Sequence, residues 1–174
     1  MTCLSSPTPE NKILPTRHRV LLVDDSPESI DLVKVYLQGS EIDLTVTTDG
    51  NHGLEAFKRA AYDLVLMDIE MPELDGCAAT RAIRYWEIEN SRTPTPITAL
   101  TGVRSTEEVG RIFASGCSNY LTKPISKVVL LQCLSQFLRA NRTKPAHHGN
   151  GVGHRDGLRS KDYSWLEHTK SHGA

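Results

Sequence analysis

Five apolar runs alternating with five helical stripes predict a doubly wound α/β fold, a five-stranded parallel sheet with helices on both faces. The runs fall at residues 20–23, 43–47, 64–67, 96–100 and 119–122. Residues 20–23 (VLLV) and 64–67 (LVLM) are apolar throughout, as strands covered on both faces should be. Reactive groups follow four of the runs: Asp24-Asp25, Asp68, Thr101 and Lys123-Pro124. In open parallel sheets, ligands gather beyond the carboxyl ends of the strands, so these groups share one edge.

The helices follow in order. After the first strand, Ser26-Pro27 supplies an N-cap and a proline at the first helical position, and Ile30, Val33 and Leu37 keep a helical stripe. Leu54, Phe57 and Ala61 line one face of a second helix. Asp75-Gly76 opens a third, with Ala79, Ile83 and Trp86 facing inward; Trp86 reads as a packing residue. Thr106 caps a fourth, with Val109, Ile112 and Phe113 inside. Ser126 caps a fifth, with Leu130, Leu131, Leu134 and Leu138 buried.

The strand-end groups have a chemistry of their own. Three carboxylates at one edge repel one another unless a cation sits among them. Oxygen-only ligands with room left for a phosphate describe a magnesium site. A hydroxyl (Thr101) and an ammonium (Lys123) add two donors for phosphoryl oxygens. The set points to phosphoryl chemistry on a carboxylate.

Val23-Asp24-Asp25, Leu66-Met67-Asp68, Met71-Pro72 with Asp75-Gly76, Ala99-Leu100-Thr101-Gly102 and Tyr120-Leu121-Thr122-Lys123-Pro124 together resemble the receiver domain of two-component response regulators. The wording is most similar to receivers of hybrid histidine kinases and phosphorelays. The resemblance covers residues 17–140 and implies a flavodoxin-like sheet of strand order 2-1-3-4-5, which periodicity alone does not give. It implies that Asp68 takes a phosphoryl group from a phosphohistidine on a histidine kinase or histidine phosphotransfer protein. Magnesium would be held by Asp24, Asp25, Asp68 and the backbone carbonyl of Glu70, and Lys123 would bind a phosphoryl oxygen. It further implies a cis Lys123-Pro124 bond. Thr101 and Tyr120 would be the switch, altering the face of helix four, strand five and helix five toward a downstream protein target or in a phosphorylation-dependent homodimer. Such a module is no enzyme toward a separate substrate; it catalyses only its own phosphorylation and dephosphorylation.

Neighbouring residues qualify this expectation. Glu70 points its side chain to solvent beside the site, where its charge would tune phosphoryl lifetime, or Val103 would instead hinder the entering water; residue type does not choose between them, and the lifetime stays open. Met71-Pro72 and Asp75-Gly76 shape the loop after strand three. Gly102 stands where the family more commonly has alanine and loosens access to Asp68.

Residues 17–140 hold 13 Lys/Arg against 17 Asp/Glu, so charge gives no reason to expect direct nucleic acid or membrane contact. Four cysteines without close pairing or metal spacing, no spanning apolar stretch and no signal-peptide core suit a cytoplasmic protein. Residues 1–16, with three prolines, read as a flexible leader. Residues 141–174 read as a disordered tail rich in His, Gly and basic residues; its clustered histidines lack a fixed metal geometry, and Tyr163-Ser164-Trp165-Leu166 is its apolar cluster. The tail is too short for a DNA-binding output domain with its own core. Two alternatives remain in view. A haloacid-dehalogenase-type phosphatase needs Asp-x-Asp after its first strand, whereas Asp24 and Asp25 are adjacent. A receiver-shaped interaction module that never turns over phosphate would not need Asp68, Thr101 and Lys123 together.

Overall fold

The computed structural model describes residues 17–102 and 104–141. The leader, Val103 and the tail beyond Asn141 lie outside them, and with them the expectations placed on the tail's histidines and its aromatic cluster. The elements run β1 (His18–Val23), α1 (Pro27–Leu37), β2 (Ile42–Thr47), α2 (Gly50–Arg59), β3 (Leu64–Asp68), α3 (Gly76–Glu89), β4 (Ile97–Thr101), α4 (Thr106–Ala114), β5 (Asn119–Thr122) and α5 (Lys127–Asn141). The strands form one sheet in the order β2-β1-β3-β4-β5, every pair parallel.

Alternation along the central strands divides the interior into two layers. Val20, Leu22, Leu64, Leu66, Leu100 and Leu121 face α1 and α5, meeting Ile30, Val33, Leu37, Leu130 and Leu134. Leu21, Val23, Val65, Met67, Ile97 and Ala99 face α2, α3 and α4, meeting Phe57, Ala79, Ile83 and Ile112. Because both sides are covered, β1 and β3 have no polar face, which is why their sequences show no alternation.

Several helical details depart from the sequence reading. α2 stops at Arg59, with Ala60 extended, so Ala61 lies beyond the helix and is exposed; Gly53 takes its place on the inner face, against Val23. Ser105, not Thr106, caps α4, its side chain accepting from the Glu108 amide at 3.2 Å. That amide lies three residues on, the reach of a capping oxygen, and this makes Thr106 the first helical residue. Phe113 is 44% exposed and Leu131 39% exposed. Each follows a residue that owns the inward direction, Ile112 and Leu130, and one helical step turns the next side chain by about 100°. Cys133 fills the position on α5 given to Leu131. Trp86 is half-buried and packs its ring edge-on to Phe57 at 5.7 Å. Cys77, Cys117 and Cys133 are buried free thiols. No helix of the described residues is long and apolar enough to cross a membrane.

Candidate functional site

Strand order decides the site. β1 and β3 are neighbours, while the chain leaves β1 toward β2 on one side and leaves β3 toward β4 on the other. A crevice opens at such a reversal. Asp24 directly follows β1 and Asp68 ends β3, so the acids after two separate apolar runs meet there. Carboxylate oxygens of Asp24, Asp25 and Asp68 all lie within 4.8 Å of one another.

Their surroundings differ. Asp24 is fully buried and Asp68 is 2% exposed, whereas Asp25 is exposed. Asp24 Oδ1 accepts from the Ser26 amide at 3.0 Å, and Ser26 in turn caps α1 by accepting from the Ser29 amide. The first turn of α1 therefore orients the carboxylate. Asp68 Oδ1 accepts from the Glu70 amide at 3.2 Å, and Oδ2 accepts from Lys123 Nζ at 2.7 Å. Lys123 Nζ also stands 3.0 Å from Asp24 Oδ2. That contact is close enough for an ion pair, but the buried Asp24 Oδ2 makes no aligned hydrogen bond.

The charges shift the groups. Burial pushes the Asp68 carboxyl above its ordinary value; the bond to Lys123 and its charge oppose this, while the Asp24 charge adds to it. Burial alone would pull Lys123 down. The bond to Asp68, the contact with Asp24 and both negative charges outweigh it and leave the ammonium above its usual value. One ammonium among three carboxylates leaves the crevice net negative.

A divalent cation fits this donor set. The ligands are hard oxygens, and a buried Asp24 oxygen without an aligned hydrogen bond is the kind of atom a cation would satisfy. Asp24, Asp25 and Asp68 are the carboxylates brought together there.

The loop after β3 is kept tight by Gly76. A Cβ there would stand 1.9 Å from the Asp68 carbonyl oxygen, so only glycine lets α3 begin against the strand end. Asp75 caps α3, accepting from the Ala78 amide at 2.7 Å, and the Gly76 amide donates to the Ile69 carbonyl at 3.2 Å. The loop role expected of Asp75-Gly76 is thus a floor for Asp68 itself. Glu70 is exposed, and its carboxylate leans over the β4–α4 connection, 3.4 Å from where a Cβ on Gly102 would stand. No spacing in the sequence announces that approach.

Thr101 ends β4 fully buried, and its carbonyl accepts from the Lys123 amide at 2.8 Å, tying the two strand ends together. The Lys123-Pro124 peptide is cis. Tyr120 pairs in register with Ala99 and is half-buried on the α4 side of the sheet. Its ring meets Phe113 of α4 edge to face, centroids 5.9 Å apart at 84°. The sequence reading missed this pair because it put Phe113 in the core.

The family model for the response regulator receiver domain matches residues 20–135. The sensor protein GacS of Pseudomonas syringae pv. syringae is 38% identical over 152 residues, which cover 81% of this chain and 17% of GacS. The chain therefore spans about a sixth of that relative's length. Among solved structures, the receiver domain of the sensor histidine kinase PA1611 from Pseudomonas aeruginosa PAO1, with magnesium coordinated in its active site cleft, is 30% identical with a TM-score of 0.63, covering 70% of this chain and 98% of that one. The receiver domain of Ssk1 from Saccharomyces cerevisiae, crystallised with the histidine phosphotransfer protein Ypd1, gives a TM-score of 0.67 at 26% identity, over 70% of this chain and 89% of that chain.

Proposed function

Because the chain belongs to the response regulator receiver domain family, we propose that it accepts a phosphoryl group on Asp68 from a phosphohistidine of a histidine kinase or histidine phosphotransfer protein. The observation that carries this reading is Asp68 itself. It ends a central strand, bonds Lys123 at 2.7 Å, and lies beside a buried Asp24 oxygen that makes no aligned hydrogen bond.

An Asp68 oxygen forms the new bond to phosphorus while the bond from phosphorus to the histidine nitrogen breaks, and that nitrogen keeps the electron pair. Two features of this chain favour the transfer. The Glu70 amide fixes one Asp68 oxygen, which orients the other. Lys123 already touches Asp68 and can follow charge onto the phosphoryl oxygens without crossing the crevice. Magnesium, when held by Asp24, Asp25, Asp68 and the Glu70 carbonyl, would offset the negative charge that keeps a phosphoryl group away from three carboxylates.

The output follows from Thr101 and Tyr120. A phosphoryl group on Asp68 draws the Thr101 hydroxyl toward it, and the space released beside β4 admits the Tyr120 ring. The face of α4, β5 and α5 then changes toward a downstream protein. Magnesium in the cleft of the PA1611 receiver and the phosphotransfer partner of the Ssk1 receiver support this reading by analogy.

Intact-protein mass after incubation with acetyl phosphate and magnesium tests it, beside Asp68→Asn and an EDTA control. We expect a gain of one phosphoryl group that both controls abolish. No gain, together with no binding of beryllofluoride, would leave a receiver-shaped interaction module.

A further inference from the structure

We propose that Phe113 is a positioning residue for Tyr120, a fixed ring that holds the tyrosine in its half-exposed orientation and sets how readily the switch turns. The proposal rests on the Tyr120 reading above but adds a residue and an energy to it.

The geometry has three parts. First, the Phe113 and Tyr120 rings meet edge to face, at 5.9 Å and 84°. That arrangement aligns the positive edge of one ring with the negative face of the other, and it is lost when either ring turns away. Tyr120 is only partly inside, and a turn toward Ala99 and Thr101, into the space that a shift of Thr101 would release, would break the contact.

Second, Phe113 is on the anchored end of its helix. Ile112 beside it is fully buried, and the Ser115 hydroxyl donates to the Ile112 carbonyl at 2.7 Å. One residue further, the Gly116 carbonyl accepts from Arg84 Nε at 3.0 Å and Nη2 at 2.9 Å. Arg84 is 3% exposed and belongs to α3. The last turn of α4 is thus pinned to a neighbouring helix, and Phe113 does not simply follow Tyr120 when it moves.

Third, Phe113 is not a core residue. It is 44% exposed at the end of its helix, where Ile112 holds the inward position. Its defined contact is the tyrosine ring.

An aromatic pair of this kind biases an equilibrium by about two- to tenfold. Removing the Phe113 ring should raise the inward population of Tyr120 by that factor with no phosphoryl group present. The test uses the full chain labelled with 3-fluorotyrosine, the Tyr120 fluorine signal being assigned by its loss in Tyr120→Phe. Spectra are taken with magnesium, with and without beryllofluoride, for the wild type, Phe113→Ala and Phe113→Tyr. We expect the Phe113→Ala signal, without beryllofluoride, to lie part-way toward the position that beryllofluoride induces in the wild type. Phe113→Tyr, which keeps a ring, should return it. A general loosening of the fold would not produce a shift along that line, nor its rescue by a ring. If beryllofluoride moves the wild-type signal but Phe113→Ala without it does not, Phe113 holds nothing and the proposal falls alone. If beryllofluoride binds and leaves the wild-type Tyr120 signal unmoved, the switch reading falls and takes the Phe113 proposal with it.

Discussion

Two buried charge clusters sit in this small domain, and they are built to opposite specifications. On α3, Arg84 (3% exposed) and Glu87 (1% exposed) form a pair in which each side-chain nitrogen and oxygen has a hydrogen-bond partner. Glu87 Oε2 takes Arg84 Nη1 at 2.6 Å, its Oε1 takes the Thr95 amide at 2.7 Å, and Arg84 Nε and Nη2 both donate to the Gly116 carbonyl. At the strand ends, Asp24 and Asp68 share the single Lys123 ammonium, and the buried Asp24 Oδ2 faces it as an ion pair without hydrogen-bond alignment. The first cluster is charge-balanced and closed, while the second is net negative and open on one side. A closed pair can only be broken. An open one can be completed by a ligand, so burial of charge alone says little about function until the donors are counted.

Breaking the closed cluster should give the largest effect. Glu87→Ala leaves a buried guanidinium without its carboxylate and frees the Thr95 amide, so unfolding in urea should show a loss of about 3–5 kcal/mol. A loss below about 1 kcal/mol, the range of exposed ion pairs, would mean that water reaches Arg84 and that the two clusters differ less than their geometry says.

The same operation on the open cluster should carry the other sign. Asp24→Asn removes one of two buried carboxylates competing for Lys123 while keeping an oxygen for the Ser26 amide. Without magnesium it should stabilise the fold by about 1–2 kcal/mol, since replacing a poorly compensated buried charge is often favourable. Destabilisation would place Asp24 with Glu87 as a structural residue. In the wild type, magnesium at ten times its dissociation constant should add about 1.4 kcal/mol by mass action. Asp24→Asn should lose most of that increment, and Glu87→Ala should retain it. Equal increments in wild type and Asp24→Asn would remove Asp24 from the ligand set.

The contrast also explains what could be read from the sequence. The open cluster was legible because its parts follow apolar runs: Asp24, Asp25, Asp68, Thr101 and Lys123 each mark the end of a strand, and parallel pairing brings such ends together. Strand order came from resemblance to a family and not from periodicity, which is blind to which strands are neighbours. The closed cluster was illegible. Arg84 and Glu87 three residues apart on a helix look like any solvated ion pair; what buries them is the Gly116 carbonyl, 32 residues from Arg84, and the Thr95 amide. Phe113 and Leu131 were misplaced for a related reason. Where two adjacent helical residues are both apolar, the rotation of the helix on its sheet decides which one goes inside, and that rotation is a property of the packed state.

The smallest prediction concerns α4, the helix whose last turn carries Phe113. α4 has nine residues, and Gly110 lies in its middle, exposed, with nothing within 4 Å of where a Cβ would stand. A glycine in that place is not there for want of room. It costs helix stability of about 0.5–1 kcal/mol relative to alanine, so Gly110→Ala should stabilise the domain by that amount in urea unfolding. The residues before it lead back to the β4–α4 connection beside Thr101, and those after it are pinned through Ser115 and Gly116. If α4 bends at Gly110 when Tyr120 turns, the alanine variant should also need more beryllofluoride than the wild type to shift the Tyr120 signal. Added stability with an unchanged beryllofluoride titration would show that α4 moves as one piece or not at all, and the flexible part of the open cluster would then end at the β4–α4 connection.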